Sequence, residues 1–309
     1  MKILANTKDM PHEEWLMWRR KGIGGSDAGA ICGLNPYRSA IDVWMDKTSS
    51  KIKEEHESEA MRVGRDLEDY VASRFCEATG KKVRRRNAMM QHDDLSFMLA
   101  NIDREVVGEN ALLECKTANA YGKDRWANGK CPDSYEIQCH HYMAVTGAEK
   151  VYLACLIMGI EFVIVEIERD EELIRMLEER EREFWERYVL TKTMPPPSGS
   201  DADEDAIKEL YVASHPGEVE LPEFKHKLQR IDEIDNQTKE LSEEKNAIKQ
   251  EIMLEMGDLD TAWVGDRKIT WKTSKPRQTV DSARLKKERP EIYEEYSKLG
   301  KPSRTFRIW

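Results

Sequence analysis

The chain has 309 residues, 39% of them hydrophobic and 35% charged, with a net charge of −10. That length allows one or two domains with a full core, and no apolar run is long enough to span a bilayer. The acidic balance argues against a protein that simply coats nucleic acid, but not against an enzyme with a local basic channel, since steering follows the local field.

The N-terminus lacks the long apolar stretch of a secretory signal, so a cytoplasmic protein with no membrane partner is expected. Six cysteines (32, 76, 115, 131, 139 and 155) show no Cys-x-x-Cys pairing, which fits reduced thiols better than zinc or iron–sulfur ligation.

Pro11 opens a short helix over 11–21 that ends in Arg19, Arg20 and Lys21. Gly22-Ile23-Gly24-Gly25-Ser26-Asp27 reads as a glycine-rich turn into a second helix, Ala28 to Cys32, stopped by Gly33. Backbone N–H groups there, with a serine hydroxyl and nearby arginines, suit an anion; a plain N-cap by Ser26 or Asp27 fits equally well. The Gly-Lys-Ser/Thr ending of a Walker loop is missing. Ser39 caps a helix over Ile41, Val43, Trp44 and Met45. A longer helix covers 57–79, carries Glu68, and ends at Gly80.

Residues 82–91 and 95–107 read as strands joined at Asp93-Asp94. Lys81, Lys82, Arg84, Arg85 and Arg86 form a basic run that suits either a solvated strand edge or a phosphate track. Residues 121–132 read as a mobile polar loop. A helix over 133–147 carries Gln138 and His140. A hairpin from Val151 to Ile167 turns at Gly159-Ile160, and a charged helix runs from Glu171 to Leu190.

Pro195-Pro196-Pro197-Ser198-Gly199-Ser200 has linker composition. Beyond it, Phe224, Leu228, Ile231, Ile234, Leu241, Ile248 and Ile252 recur at helical spacing over 222–256, interrupted by Thr238 and Lys245. Trp263 to Trp271 reads as a hairpin turning at Gly265-Asp266. The tail mixes cations such as Lys286, Lys301 and Arg304 with Tyr293, Tyr296, Phe306 and Trp309, which suits nucleic-acid contact or an ordinary subdomain.

The chemistry concentrates in Ala100 to Ala118, read as two strands joined at Glu109-Asn110. Pairing Gly108 with Ala111 sets Asp103 opposite Lys116, with Glu114 diagonal on the same face. Two carboxylates there can share a hard divalent cation, and a lysine can hold water or stabilise negative charge. A surface hairpin with a cross-strand ion pair fits the same pattern.

Taken together, the motifs go further than any one of them. The stretch from Trp15 through Arg19-Arg20-Lys21-Gly22-Ile23-Gly24-Gly25-Ser26-Asp27 is followed by Gly33-Leu34-Asn35-Pro36-Tyr37 and Gly64-Arg65-Asp66-Leu67-Glu68. Then come Asn101-Ile102-Asp103, Glu114-Cys115-Lys116, and Gln138 through Gly147. In this order they resemble the YqaJ-type viral recombinases, phage exonucleases similar to lambda exonuclease within the PD-(D/E)xK nuclease superfamily. The resemblance covers about residues 11–190.

It implies an α/β, restriction-endonuclease-like fold: a mixed central sheet flanked by helices, followed by a C-terminal region with a long helix and a small hairpin. The corresponding domains are an exonuclease domain over 1–194, a linker over 195–220, and an accessory region over 221–309. The implied metal ligands are Glu68, Asp103 and Glu114 with the Cys115 carbonyl, holding two Mg²⁺ ions that Mn²⁺ could replace.

Lys116 would position or activate water, with Gln138 and His140 on the neighbouring helix. Here His140 departs from the family's Gln-x-Gln. Arg19 and Ser26 match its pocket for a terminal 5′-phosphate. The implied activity is 5′-to-3′ digestion of linear double-stranded DNA, by a homo-oligomer (a trimer) working with a phage single-strand annealing protein. A structure-specific endonuclease and a silent DNA-end binding module are the alternatives.

Overall fold

The computed structural model describes residues 1–49, 58–300 and 304–308. The residues fall into two units, 1–212 and 213–309. The first opens with β1 (Lys2–Asn6), α1 (His12–Arg19), β2 (Ile23–Gly24), α2 (Gly25–Ile31), α3 (Ala40–Thr48) and α4 (Glu59–Thr79). Next come β3 (Val83–Arg84), β4 (Ala88–Gln91), β5 (Met98–Ala100), β6 (Arg104–Val106) and β7 (Ala111–Ala118). Then follow α5 (Asp133–Thr146), β8 (Lys150–Ile157), β9 (Glu161–Glu168), α6 (Glu171–Phe184) and α7 (Asp201–Leu210).

The centre of this unit is a mixed five-stranded sheet in the order β3-β6-β7-β8-β9. Its middle strands are buried on both faces, so they read as nearly unbroken apolar runs, Ala111-Leu112-Leu113 and Val151 to Cys155. The β7–β8 pair is parallel along its whole length, from Ala111 opposite Lys150 to Ala118 opposite Ile157, and α5 makes the crossover. The other pairs in this sheet are antiparallel.

Each face is covered by a helix. On one side Val71, Ala72 and Phe75 of α4 pack on Val106, Leu113, Tyr152 and Ala154. On the other, Cys139, Tyr142, Met143 and Val145 of α5 join Leu153, Cys155 and Val165. Along the chain these elements run helix α4, strands β3, β6 and β7, helix α5, strand β8, which gives the mixed central sheet flanked by helices that was expected. A second sheet, β1-β4-β5-β2, backs onto the α5 side, where Ile23, Met90 and Met98 enter the same core.

Several expectations are corrected. The strands foreseen over 82–91 and 95–107 are each broken, and their halves lie in different sheets. Asn87, at φ 46°, lets the chain leave one sheet for the other. The hairpin register differs as well. Arg104 faces Leu113 and Glu105 faces Leu112, so Asp103 stands level with Glu114, not with Lys116.

The turn is therefore longer, running from Val107 to Asn110, with Gly108 at φ 87°. The loop foreseen over 121–132 is instead a pair of 3-10 turns over Ala120–Gly129, pinned by buried Trp126, whose ring lies tilted against that of Tyr135. The N-cap of α2 is Gly24, whose N–H donates to the Asp27 carboxylate, so neither Ser26 nor Asp27 takes that position.

The helix expected to reach Leu190 stops at Phe184 and widens into a π-type turn over Trp185–Val189, where the Leu190 N–H donates to the Trp185 carbonyl. The span read as linker holds α7, which packs on α3 and buries Ala202 and Ala206.

Ser58 caps α4, and the helix start expected at residue 57 lies outside the described residues, as do Lys301 and Trp309. The described cysteines form no disulfide. No helix among the described residues is long and apolar enough to cross a membrane.

The second unit holds α8 (Lys225–Met256), the hairpin β10 (Thr261–Val264) and β11 (Arg267–Thr270) turning at Gly265-Asp266, α9 (Ser282–Glu288) and α10 (Pro290–Tyr296). Gly257, at φ 52°, ends α8.

Candidate active site

Asp103, Glu114 and Lys116 do meet. The end of β5 and start of β6 place Asp103 beside β7, where its Oδ2 accepts the Cys115 backbone N–H at 2.8 Å. Glu114 is almost fully buried. Its Oε1 accepts from Lys116 Nζ at 2.7 Å and from Gln138 Nε2 at 2.7 Å, while Oε2 is buried with no partner among the described residues.

Gln138 closes the cluster. Its Oε1 accepts from Lys116 Nζ at 3.1 Å, and its Nε2 also donates to the Tyr142 hydroxyl at 3.0 Å, one turn further along α5. The Tyr135 ring lies 4.7 Å from the Lys116 ammonium, a cation–π contact on the same helix face.

These neighbours set the charges. Burial pushes the Asp103 carboxyl well up, and the like charges of Glu114 and Glu68 add to it. Burial alone would push Lys116 down, but Glu114 and Asp103 outweigh it, so its ammonium holds its proton far above neutral pH. Lys116 is thus a fixed cation here and not a base.

Glu68 faces the same region from α4. Its Oε1 accepts from Arg104 Nη1 at 2.6 Å, and the same guanidinium donates to the Asp103 carbonyl at 2.7 Å and to Asp69. A small cavity of about 110 Å³ is lined by Glu68, Asp103, Arg85, Asn101 and Asn87.

Arg19 and Ser26 are also brought together: Arg19 Nη2 donates to Ser26 Oγ at 2.7 Å, and the guanidinium stacks over Trp15. Behind them lies Asp27, fully buried and ion-paired to Arg38 and, at 2.8 Å, to Lys47. Burial raises its pKa, but Lys47, Arg38 and Arg19 outweigh that and hold its carboxyl far below the usual range. This group adjoins the carboxylate cluster through Gly25. A Cβ there would lie 2.6 Å from the Tyr142 ring and 3.0 Å from Gln138 Cγ, so only glycine lets α2 approach α5 this closely.

His140 is not part of the cluster. Two residues from Gln138 it points elsewhere on α5, its Nδ1 buried without a partner among the described residues; burial lowers its pKa, and the charges it feels are Asp170 and Arg169. Next to it, His141 is fully buried, with Nδ1 at 2.7 Å from Glu181 and Nε2 donating to the Leu99 carbonyl at 2.8 Å, tying α5 to α6 and β5.

Sequence reading missed Gly25, Arg104, Tyr135, Tyr142, Arg38 and Lys47. Tyr142, four residues from Gln138, was the one with a visible signal, since i and i+4 share a helix face. The basic run is largely paired with acids: Arg84 and Arg86 with Glu105, and Arg85 with Asp69.

The donor set can be tested against a hard divalent cation. Asp103 and Glu114 offer carboxylate oxygens, one of them buried and unpartnered, in a place where like charge raises a carboxyl pKa; that suits such a cation. The set is not closed, however. Among the described residues no three His, Cys, Asp or Glu side chains gather as a metal group, and Glu68 is engaged by Arg104.

A mixed sheet with helices on both faces, bearing an aspartate just ahead of one inner strand and a Glu-x-Lys on the next, is the restriction-endonuclease-like class. Within it, the chain belongs to the YqaJ-like viral recombinase family: the profile of that domain matches residues 14–149. The YqaJ protein of Bacillus subtilis (strain 168) is 40% identical over 301 residues, covering 96% of this chain and 94% of that one.

In structure the chain is similar to an alkaline exonuclease from Laribacter hongkongensis, with TM-score 0.49 and 20% identity over 65% of this chain and 100% of that one. It is also similar to a phage-related exonuclease from Haemophilus somnus 129PT, with TM-score 0.46 and 13% identity over 56% and 95%.

Proposed function

We propose that this protein is a metal-dependent deoxyribonuclease that digests linear duplex DNA from a 5′ end. The observation that carries this reading is the cluster of Asp103, Glu114, Lys116 and Gln138, with the Arg19–Ser26 pair one glycine away. Membership of a viral recombinase family supports it.

Asp103 and Glu114, with the Cys115 carbonyl and a Glu68 released from Arg104, are the groups that would hold Mg²⁺. The ion would supply a Lewis acid for the scissile phosphate and its leaving oxygen. The remaining chemistry belongs to the chain. Lys116, kept protonated, orients an attacking water and offsets negative charge gathering on phosphate. Gln138 holds both Lys116 and Glu114 and fixes their spacing. Arg19 and Ser26 receive a terminal phosphate, which sets the end from which digestion starts. A homo-oligomer and a single-strand annealing partner complete this reading.

The test uses linear duplexes with and without a 5′-phosphate, beside a closed circle, with and without Mg²⁺. Digestion should need Mg²⁺, favour the phosphorylated end and spare the circle; cutting of the circle would favour a structure-specific endonuclease. Asp103→Asn, Glu114→Gln and Lys116→Met should each slow cleavage by about 100-fold or more while leaving the circular dichroism spectrum unchanged. Arg19→Ala should slow phosphorylated ends far more than hydroxyl ends. Equal loss on both would remove Arg19 from the end pocket, and no loss with the first three would remove the active-site assignment.

A further inference from the structure

Helix α8 is 32 residues long, about 48 Å, and most of its surface is open. A helix of that length without a covering layer is marginal unless its apolar stripe is buried. Its stripe is regular. Taking Ile231 as position a of a heptad places Ile252 at a, and Ile234, Leu241 and Ile248 at d.

Ile231, Ile234, Leu241 and Ile248 are 37%, 45%, 65% and 51% exposed, and only Ile252, near the hairpin end of α8, is half-buried. The two interruptions, Thr238 and Lys245, both fall at a. A lone lysine at a is tolerated in a coiled coil because its stem packs and its ammonium reaches the rim, and it sets register.

The flanking charges identify what covers the stripe. In a parallel, in-register pair, position g of one helix faces position e of the next heptad of the other. Here that sets Arg230 against the second copy's residue 235, an aspartate, and Glu244 against residue 249, a lysine. Both contacts join opposite charges, and two-fold symmetry makes each occur twice.

The intermediate g–e contact joins Gln237 and Ser242, which is neutral. Within one chain Arg230 pairs with Glu233 on its own helix, an exposed contact of small worth that leaves the side chain able to turn to a partner. Acids outnumber bases along α8, which disfavours a phosphate backbone as its occupant.

We propose that α8 is a self-association helix that pairs, parallel and in register, with α8 of a second copy of this chain. The inference shares with the nuclease reading only that the chain self-associates; it uses no residue of the first unit, and its test involves no digestion, so the two can fail separately.

The experiment takes the full-length protein and two charge variants, all changed at exposed positions. The acidic variant carries Arg230→Glu and Lys249→Glu; the basic one carries Asp235→Arg and Glu244→Lys. Sedimentation equilibrium measures mass across a micromolar series, and far-ultraviolet circular dichroism checks that helix content is kept.

Wild type should assemble. Each variant alone should self-associate about tenfold or more weakly, because both charged g–e contacts become repulsive. An equimolar mixture should recover wild-type association with both variants in one particle, because every such contact is again attractive. A single-chain wild type, variants that assemble as well as wild type, or a mixture that does not recover would each overturn the proposal.

An antiparallel pair would also overturn it, and it has its own signature. There Arg230 meets the second copy's residue 251, a glutamate, so the basic variant alone would stay assembled.

Discussion

At the scale of single residues, charge decides both the site and the stability of what lies behind it. Lys116 stays charged because Glu114, Tyr142 and Asp103 outweigh its burial, whereas burial first and the crowding of carboxylates second push Asp103 toward its neutral form. Asp27 is the opposite case, a buried carboxylate held ionised by three cations. Its folded pKa lies below its unfolded value, so its contribution is fully present above about pH 4 and is lost as pH falls below that. Asp27→Asn should therefore destabilise the first unit by about 3 kcal/mol at neutral pH, since it removes the nearest counter-charge of the fully buried Lys47 and leaves it the more distant Asp46. It should also flatten the acid limb of stability. Urea unfolding at pH 7 and in steps from pH 4.5 to 2.5 measures both; a variant with the wild-type slope would remove Asp27 as the origin of acid sensitivity.

At the scale of elements, the site depends on how closely α2 lies on α5. Gly25→Ala introduces a Cβ 2.6 Å from the Tyr142 ring, and the ring belongs to a filled core that cannot yield freely. Overpacking of this kind costs about 1–3 kcal/mol. Because Tyr142 and Gln138 are hydrogen-bonded, the strain should also reach Lys116 and Glu114. Gly25→Ala should lower the melting temperature and slow cleavage together, whereas Gly33→Ala, which meets open space, should cost only backbone strain and leave cleavage intact.

Such a contact shows how far the sequence could be read. The helices α3 and α5, the β8–β9 hairpin and the β10–β11 hairpin were legible because apolar spacing, caps and turn residues agreed. Asp103, Glu114, Lys116 and Gln138 were legible as a group by family likeness. The register that sets Asp103 beside Glu114 was not, because it rests on a turn two residues longer than the shortest one the same glycine allows. Neither was the exclusion of His140, since a helix face is known only once its neighbours are.

At the scale of the molecule, the boundary between the units matters for any shortened protein. A chain ending at 195 loses α7, whose Ala202 and Ala206 are buried against the first unit. A chain ending at 212 keeps it. The 1–212 fragment should fold, melt cooperatively and cut short duplexes, while 1–195 should melt lower or aggregate. Differential scanning calorimetry of the two settles the point: equal melting would show that α7 contributes nothing to the first unit. If α8 pairs as proposed, the 1–212 fragment should sediment as a single chain under conditions where the whole chain assembles.

The pairing of β7 with β8 along eight successive positions has one more consequence. The strand that carries Glu114 and Lys116 is paired with β8 throughout and with β6 at Leu112 and Leu113, and has a helix on each face. Its amide protons are shielded unless the whole unit opens, so in heavy water they should be among the last to exchange, while those of α8 exchange by local fraying. Warming the protein should then leave no interval in which the enzyme is folded but catalytically dead: the active strand and the fold fail as one event.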